Sequence, residues 1–309
     1  MSPVPAAPAD HAADLVPADE VAEIRDLTLD WFAAHARDLP WRADDRTPYG
    51  VLVSEVMLQQ TPVVRVEPAW HAWMTRWPTP ADLAAAAPAD VLRAWDRLGY
   101  PRRALRLREC AQAVVERHGG ELPTEEAELR ALPGIGEYTA AAIRAFAFGL
   151  RSTVLDTNVR RVLARVAEGI ALPAPTLTAA ERRLAGAFVP EDDASAARWA
   201  AASMELGALV CTARSPRCDD CPVRGLCAWR AAGFPADVHA ARRRPQAWAG
   251  TDRQVRGRIM ALLRDALEPA PAHAVAAVWP DDEQRDRCLA SLLADRLVEQ
   301  VGDRYRLPH

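Results

Sequence analysis

The stretch "LPGIGEYTAAAI", residues 132–143, decides how the rest of this chain is read. Pro133 restricts one backbone angle, and Gly134 and Gly136, one residue apart, permit a tight turn. Tyr138 then leads into an alanine-rich helix, whose first N–H groups lack partners within the helix. A tight turn opening onto free N–H groups has the make-up of a hairpin that grips a nucleic-acid backbone.

The chain has 309 residues, half of them apolar, enough for one large or two modest domains. No apolar run reaches the roughly 18 residues of a membrane span. The first twenty residues, "MSPVPAAPADHAADLVPADE", lack the basic start and apolar run of a signal peptide and are predicted to be a disordered acidic tail. Together these features predict a cytoplasmic, nucleoid-associated protein with no membrane contact. In that compartment cysteines serve metals more often than disulfides.

A net charge of −4 looks unsuited to nucleic acid, but it is unevenly spread. Residues 1–30 carry seven acids and one arginine, which leaves the remainder at +2. Residues 211–258 hold ten arginines against four aspartates, and "RAWDRLGYPRRALRLR" (93–108) holds six against Asp96. Such patches suit phosphate contact, and equally the solvated faces of helices. All 38 basic residues are arginine. An arginine does not deprotonate to a nucleophilic amine, so a side-chain Schiff base is closed to this chain.

Helical periodicity is strong through most of the chain. Ile24, Leu27, Trp31 and Phe32 share one side of 21–37, and a second helix starts at Pro48. Further helices are predicted near 63–76, 80–86, 88–97, 101–118, 124–131, 137–148, 157–167, 178–188 and 194–209, most of them separated by Pro, Gly or short polar caps. No strand is predicted before residue 290, so the body is all-α. Residues 236–252 read as a linker. Beyond it, three short helices precede "LVEQVGDRYRL", two strands joined at Gly302-Asp303, which together suggest a small winged-helix-like module over 253–309.

"CTARSPRCDDCPVRGLC" places Cys211, Cys218, Cys221 and Cys227 within seventeen residues, the mark of a metal site. Zinc and [4Fe–4S] both remain open. The single C-x2-C pair flanked by lone cysteines favours the iron–sulfur cluster over the paired knuckles usual for zinc. Cys110 and Cys288 fall on apolar helix faces and read as packing residues.

The hairpin, "VLDTNVRRVLAR" (154–165) and the cysteine array together resemble the endonuclease III superfamily of base-excision glycosylases. "LPWR" (39–42) and "SEVMLQQT" (54–61) narrow the resemblance to the MutY-type adenine DNA glycosylases. The resemblance implies a two-lobed helix-hairpin-helix glycosylase domain over 21–235. One lobe is a six-helix barrel carrying the hairpin; the other, built from the first helix and residues after about 150, carries a [4Fe–4S] cluster. The implied partner is double-stranded DNA containing mispaired adenine, lying across both lobes with the adenine flipped into the cleft. The protein is expected to be a monomer.

Residue roles follow. Glu55 lies amid Val51, Leu52, Val53, Val56, Met57 and Leu58, and burial there raises a carboxyl's pKa and keeps a proton available. By resemblance it protonates N7 of the flipped adenine and then activates water. Asp156 reads as a helix N-cap; by resemblance it also steadies positive charge at the sugar C1′, with Asn158 ordering the site. Tyr138 stands where lyase members of the superfamily carry lysine, so water is the expected final nucleophile. Gln60 resembles the wedge beside the lesion, Leu98 and Tyr100 the contacts to the opposing guanine, and Trp41 and Arg42 the pocket lining. Gly134 and Gly136 belong to the DNA-gripping hairpin. Family members often have Gly where Thr157 stands, and Gln or Glu near Ala201. They typically end in a Nudix-like domain, for which 253–309 is too short. Two alternatives stay open: a G:T or G:U mismatch glycosylase of the same superfamily, and a non-enzymatic Fe–S DNA-binding regulator.

Overall fold

The computed structural model describes residues 16–242 and 248–309, and its helices begin where prolines and short polar side chains start them. α1 (Ala18–His35) has Asp19 and Glu20 in its first turn, where the helix dipole favours acids. The predicted acidic tail is therefore already helical at 18–20, while residues 1–15 lie outside the described part. Thr47 accepts the Gly50 N–H to cap α2 (Pro48–Leu58), and α3 (Val63–Arg76) follows. A reciprocal Thr79–Asp82 cap opens α4 (Pro80–Ala85), and Pro88 opens α5 (Pro88–Trp95). α6 (Arg102–His118) stops at Gly119 in the left-handed conformation. α7 (Glu126–Arg130) and α8 (Glu137–Phe148) flank the glycine-bearing turn. Asp156 caps α9 (Thr157–Val166), Thr178 caps α10 (Ala179–Phe188) and Asp192 caps α11 (Asp193–Leu209); a short α12 (Ala228–Ala231) follows the cysteines.

These elements divide into two compact units, one of residues 16–38 and 141–242, the other of 39–140 and 248–309. In the first, α1, α9, α10 and α11 enclose Ile24, Val162, Leu184, Phe188, Trp199 and Leu206. The Phe188 and Trp199 rings stack at 5.9 Å. In the second, α4 and α5 pack on α6, and α2 packs on α3 and α6. Trp73 meets Trp77 and Trp95 edge-on at 4.7 and 5.6 Å. The unit containing the four cysteines thus takes up the chain at Ala141, within α8, earlier than the position near 150 that the resemblance implied. Cys110 and Cys288 are both buried, as packing residues should be.

The C-terminal segment forms α13 (Asp252–Asp265), β1 (Ala270–Pro271), α14 (Ala272–Ala276), α15 (Asp282–Ala294), β2 (Glu299–Val301) and β3 (Arg304–Arg306). The strands make one antiparallel sheet in the order β1-β3-β2, with Gly302 at φ 63° in the hairpin turn. This is a winged-helix arrangement. β1 corrects the expectation of no strand before 290: two residues ending in proline at a sheet edge leave no alternation to detect. Of the predicted linker, Ala240–Arg242 is a 3-10 turn, Asp252 already belongs to α13, and 243–247 lie outside the described residues.

One guanidinium ties the second unit together. Arg103 donates to the carbonyls of Val56 (2.7 Å), Met57 (3.3 Å) and Gln59 (2.7 Å) at the end of α2, and to those of Leu98 (3.2 Å) and Gly99 (3.1 Å). Burial lowers its pKa to about 10. Arg103→Met should destabilise the protein by about 2–4 kcal/mol, because several carbonyls lose a charged donor together. Arg103→Lys should recover only part of that, having no planar fork. Denaturant midpoints of the three proteins check both expectations.

Candidate active site and cysteine loop

α2 is buried all round from Tyr49 to Met57. Glu55, its only carboxylate, is 5% exposed. The first turn of α8 brings Tyr138 to it, and the phenol donates to Glu55 Oε2 at 2.9 Å. The turn before α8 is built on main-chain bonds from Leu132 N to Leu129 O and from Ile135 N to Leu132 O. Gly134 has φ 81°, and a Cβ there would sit 3.3 Å from Arg106 Cβ. Gly136 has neither a left-handed φ nor a neighbour within 4 Å of a Cβ. The tight turn therefore demands only the first glycine; the second leaves open space at the start of α8.

The residues read as DNA contacts fall into two groups. Gln60 is exposed at φ 58° directly after α2, its turn closed by Thr61 N donating to Leu58 O at 3.3 Å. Tyr100 is 39% exposed at φ 48°. Leu98 is buried at 6%, its carbonyl taken by Arg103 and by the Thr61 hydroxyl (3.1 Å), so it packs the loop rather than presenting its side chain. Trp41 is likewise buried, edge-on to Trp70 at 5.9 Å, and Trp70 Nε1 donates to Gly50 O at 2.8 Å. Arg42 ends the 3-10 turn Pro40–Arg42 and is half-buried.

In the other unit, Asp156 caps α9. Its Oδ1 accepts from the Asn158 and Val159 N–H groups at 2.8 and 2.7 Å, and its Oδ2 accepts from Asn158 Nδ2 at 2.6 Å. Burial pushes its pKa up, while these three donors and the charge of Arg161 pull toward the anion. Arg161 was missed in the sequence, where it looked like one of many surface arginines. It donates to Asn158 Oδ1 (2.8 Å), Gly207 O (2.7 Å) and Cys211 O (2.6 Å). The aspartate's own partner is thereby held to the first residue of the cysteine loop. Glu205, four residues after Ala201, is fully buried and engaged by Arg37 at 2.7 Å.

Cys211, Cys218, Cys221 and Cys227 line one small cavity, walled by Val162, Val166, Leu206 and Val210. Among the described residues no three thiols, imidazoles or carboxylates converge closely enough to chelate a single ion. Four thiols on one cavity supply the donor set that a [4Fe–4S] cluster takes. Arg165 Nη1 lies 3.3 Å from Cys211 Sγ, with its guanidinium over the Trp229 ring at 4.4 Å. Burial pushes the Cys221 thiol up to about 12 and raises Cys218 and Cys227 as well, so bare thiolates are disfavoured here without a metal's charge.

Residues 53–186 match the HhH-GPD superfamily of base excision DNA repair proteins, and 211–227 match the iron–sulfur binding domain of endonuclease III. An adenine DNA glycosylase of Mycolicibacterium smegmatis is 52% identical over 276 residues, covering 89% of this chain and 92% of the relative. The chain belongs to the adenine DNA glycosylase family. The Mycobacterium tuberculosis member is 48% identical over 91% of this chain and 92% of its own length. The human member is 46% identical over 67% of this chain, which spans 39% of that longer protein. Among solved structures, a thermostable thymine-DNA glycosylase superposes with TM-score 0.62 at 26% identity, over 69% of this chain and 98% of that one. An endonuclease III–DNA complex shares the fold with TM-score 0.61 at 21% identity, over 71% and 99% of the two chains. This chain therefore acts on DNA and holds a [4Fe–4S] cluster through the four cysteines; the bound cluster's positive charge would stabilise their thiolate forms.

The joint between α9 and α11 admits no side chain at position 207. A Cβ on Gly207 would lie 2.7 Å from Asn158 Cβ and 2.9 Å from its carbonyl oxygen. Gly207→Ala should therefore cost about 1–3 kcal/mol of stability by overpacking. It should also slow adenine excision at saturating enzyme, since the displaced residue is the one bonded to Asp156. Thermal midpoints and single-turnover rates check the two effects separately.

Proposed function

We propose that this glycosylase hydrolyses the N-glycosidic bond of adenine mispaired with guanine or 8-oxoguanine in double-stranded DNA. It acts as a monomer in the cytoplasm, on nucleoid DNA, and leaves the abasic strand uncut. The observation that carries the reading is the buried Glu55 held by the Tyr138 phenol, at the hairpin position where an attacking amine would stand, in a chain with no lysine.

The chemistry runs as follows. Glu55 gives its proton to N7 of the extruded adenine, the C1′–N9 electron pair leaves with the base, and positive charge develops on the sugar. The Asp156 carboxylate, oriented by Asn158, steadies that charge. Glu55, now ionised, takes a proton from water as its oxygen bonds to C1′. The balance is one water consumed, one adenine released and one abasic site formed. Exposed Gln60 and Tyr100 enter the stack and touch the opposing base, offsetting part of the few kcal/mol that flipping costs. Trp41 and Leu98 hold these elements from within, Arg42 lines the base pocket, and Gly134 and Gly136 keep the hairpin close to a phosphate.

Duplexes carrying A, T or U opposite guanine or 8-oxoguanine test this. Strand breaks are expected only at adenine and only after hot alkali. Thymine or uracil release would favour the mismatch-glycosylase reading, and DNA binding with no base release a regulator. Breaks before alkali, or a borohydride-trapped adduct, would overturn the hydrolytic mechanism. Glu55→Gln should slow excision by at least about 10²-fold while binding persists.

A further inference from the structure

The loop before α6 is held in an unusual backbone shape. Asp96, Gly99 and Tyr100 all have positive φ, at 41°, 82° and 48°. Only glycine takes that region freely, so Asp96 and Tyr100 keep it because surrounding contacts impose it. Arg103 supplies them from inside. From outside they come from the C-terminal module.

Three contacts make that outer brace. The Arg253 guanidinium lies 4.7 Å from the Tyr100 ring centroid, and Arg103 lies 5.6 Å from the same ring. Arg264 Nε lies 3.9 Å from Asp96 Oδ1. Asp295 accepts from Arg256 at 2.6 Å and sits 3.3 Å from Arg102 Nη1, which fastens the module to the start of α6.

The module's own face is poorly suited to reading DNA. Winged-helix and helix-turn-helix proteins commonly insert one helix into a groove lined by phosphates. Here α15 opens with Asp281, Asp282 and Glu283, and its two N-terminal-half arginines are occupied: Arg285 by Asp282 and Asp286, Arg287 by Asp252. A helix so neutralised offers little attraction to a polyanion.

We propose that the C-terminal module is a specificity element for the base opposite adenine. Arg253 is its positioning residue, acting through the Tyr100 ring. The module works by setting the pose of a side chain on the body. This inference rests on the reading of Tyr100 as the residue that touches the opposing base.

The test uses the full-length, cluster-loaded protein and four variants: Arg253→Ala, Arg253→Lys, Tyr100→Ala, and the Arg253→Ala/Tyr100→Ala pair. Single-turnover excision and duplex affinity are measured with adenine opposite guanine, 8-oxoguanine, cytosine or thymine. Arg253→Ala should lower the preference for guanine and 8-oxoguanine over cytosine by about tenfold, within the range of a cation–π contact. The loss should fall on the preferred duplexes and spare the others, a split that general loosening would not produce. Arg253→Lys should keep most of the preference. Tyr100→Ala should lose as much as Arg253→Ala, and the pair should lose no more than either. Cluster absorbance and thermal midpoint should match the parent in each case. If Tyr100→Ala erodes the preference while Arg253→Ala leaves it intact, or if the two losses add, the inference about the module is overturned alone. If Tyr100→Ala itself changes nothing, the reading of Tyr100 fails and takes the inference with it.

Discussion

Burying one carboxylic acid in an apolar helix is the constraint on which the second unit is organised. Taking a carboxyl out of water costs several kcal/mol unless partners compensate. The hydrogen bond from the Tyr138 phenol to Glu55 offsets part of that cost. A wholly buried helix raises a second problem at its C-terminus, where the last carbonyls have no partners within the helix. Arg103 answers it, and the same guanidinium takes the carbonyls of Leu98 and Gly99. The helix carrying Glu55 and the loop presenting Tyr100 therefore share one tether, and neither can shift without straining the other.

The absence of lysine has a structural side as well as a chemical one. Three arginines do work that needs several N–H donors in a plane. Arg103 gathers carbonyls from two segments, Arg161 spans the start of α9, α11 and the cysteine loop, and Arg165 donates to Ala171 O, Thr212 O and Ala213 O around that loop. An ammonium, a strongly hydrated point charge with three donors, would satisfy fewer of these groups and lose more hydration in doing so. The residue type that replaces lysine throughout the chain is also the one that makes this interior possible.

Local patterns were legible in the sequence. Caps, prolines and helical periodicity located the helices, and cysteine spacing located the cluster loop, because each depends on neighbours a few residues apart. What escaped depended on tertiary direction. "PRRALRLR" reads as an outward basic patch, yet Arg103 points inward while Arg102 and Arg106 stay largely exposed. Leu98 and Tyr100 stand two residues apart and look alike as recognition residues, but backbone turns bury one and expose the other. The passage from one unit to the other inside α8 leaves no mark at all, since a helix crossing it has the composition of any other helix.

Glu55 and Asp156 are two buried carboxyls set in different surroundings. Glu55 lies within a buried apolar helix, and its Oε2 accepts from the Tyr138 phenol. Asp156 sits at a helix start with three N–H donors on its oxygens and Arg161 nearby, yet burial outweighs them and its pKa is raised. Each of those neighbours stabilises the anion. In the proposed mechanism one carboxyl gives up a proton and the other stays charged, tasks that call for different surroundings. Neither role can be exchanged by swapping side chains alone. A longer carboxylate at 156 would lose the short-range cap geometry, and an aspartate at 55 would fall short of the Tyr138 hydroxyl.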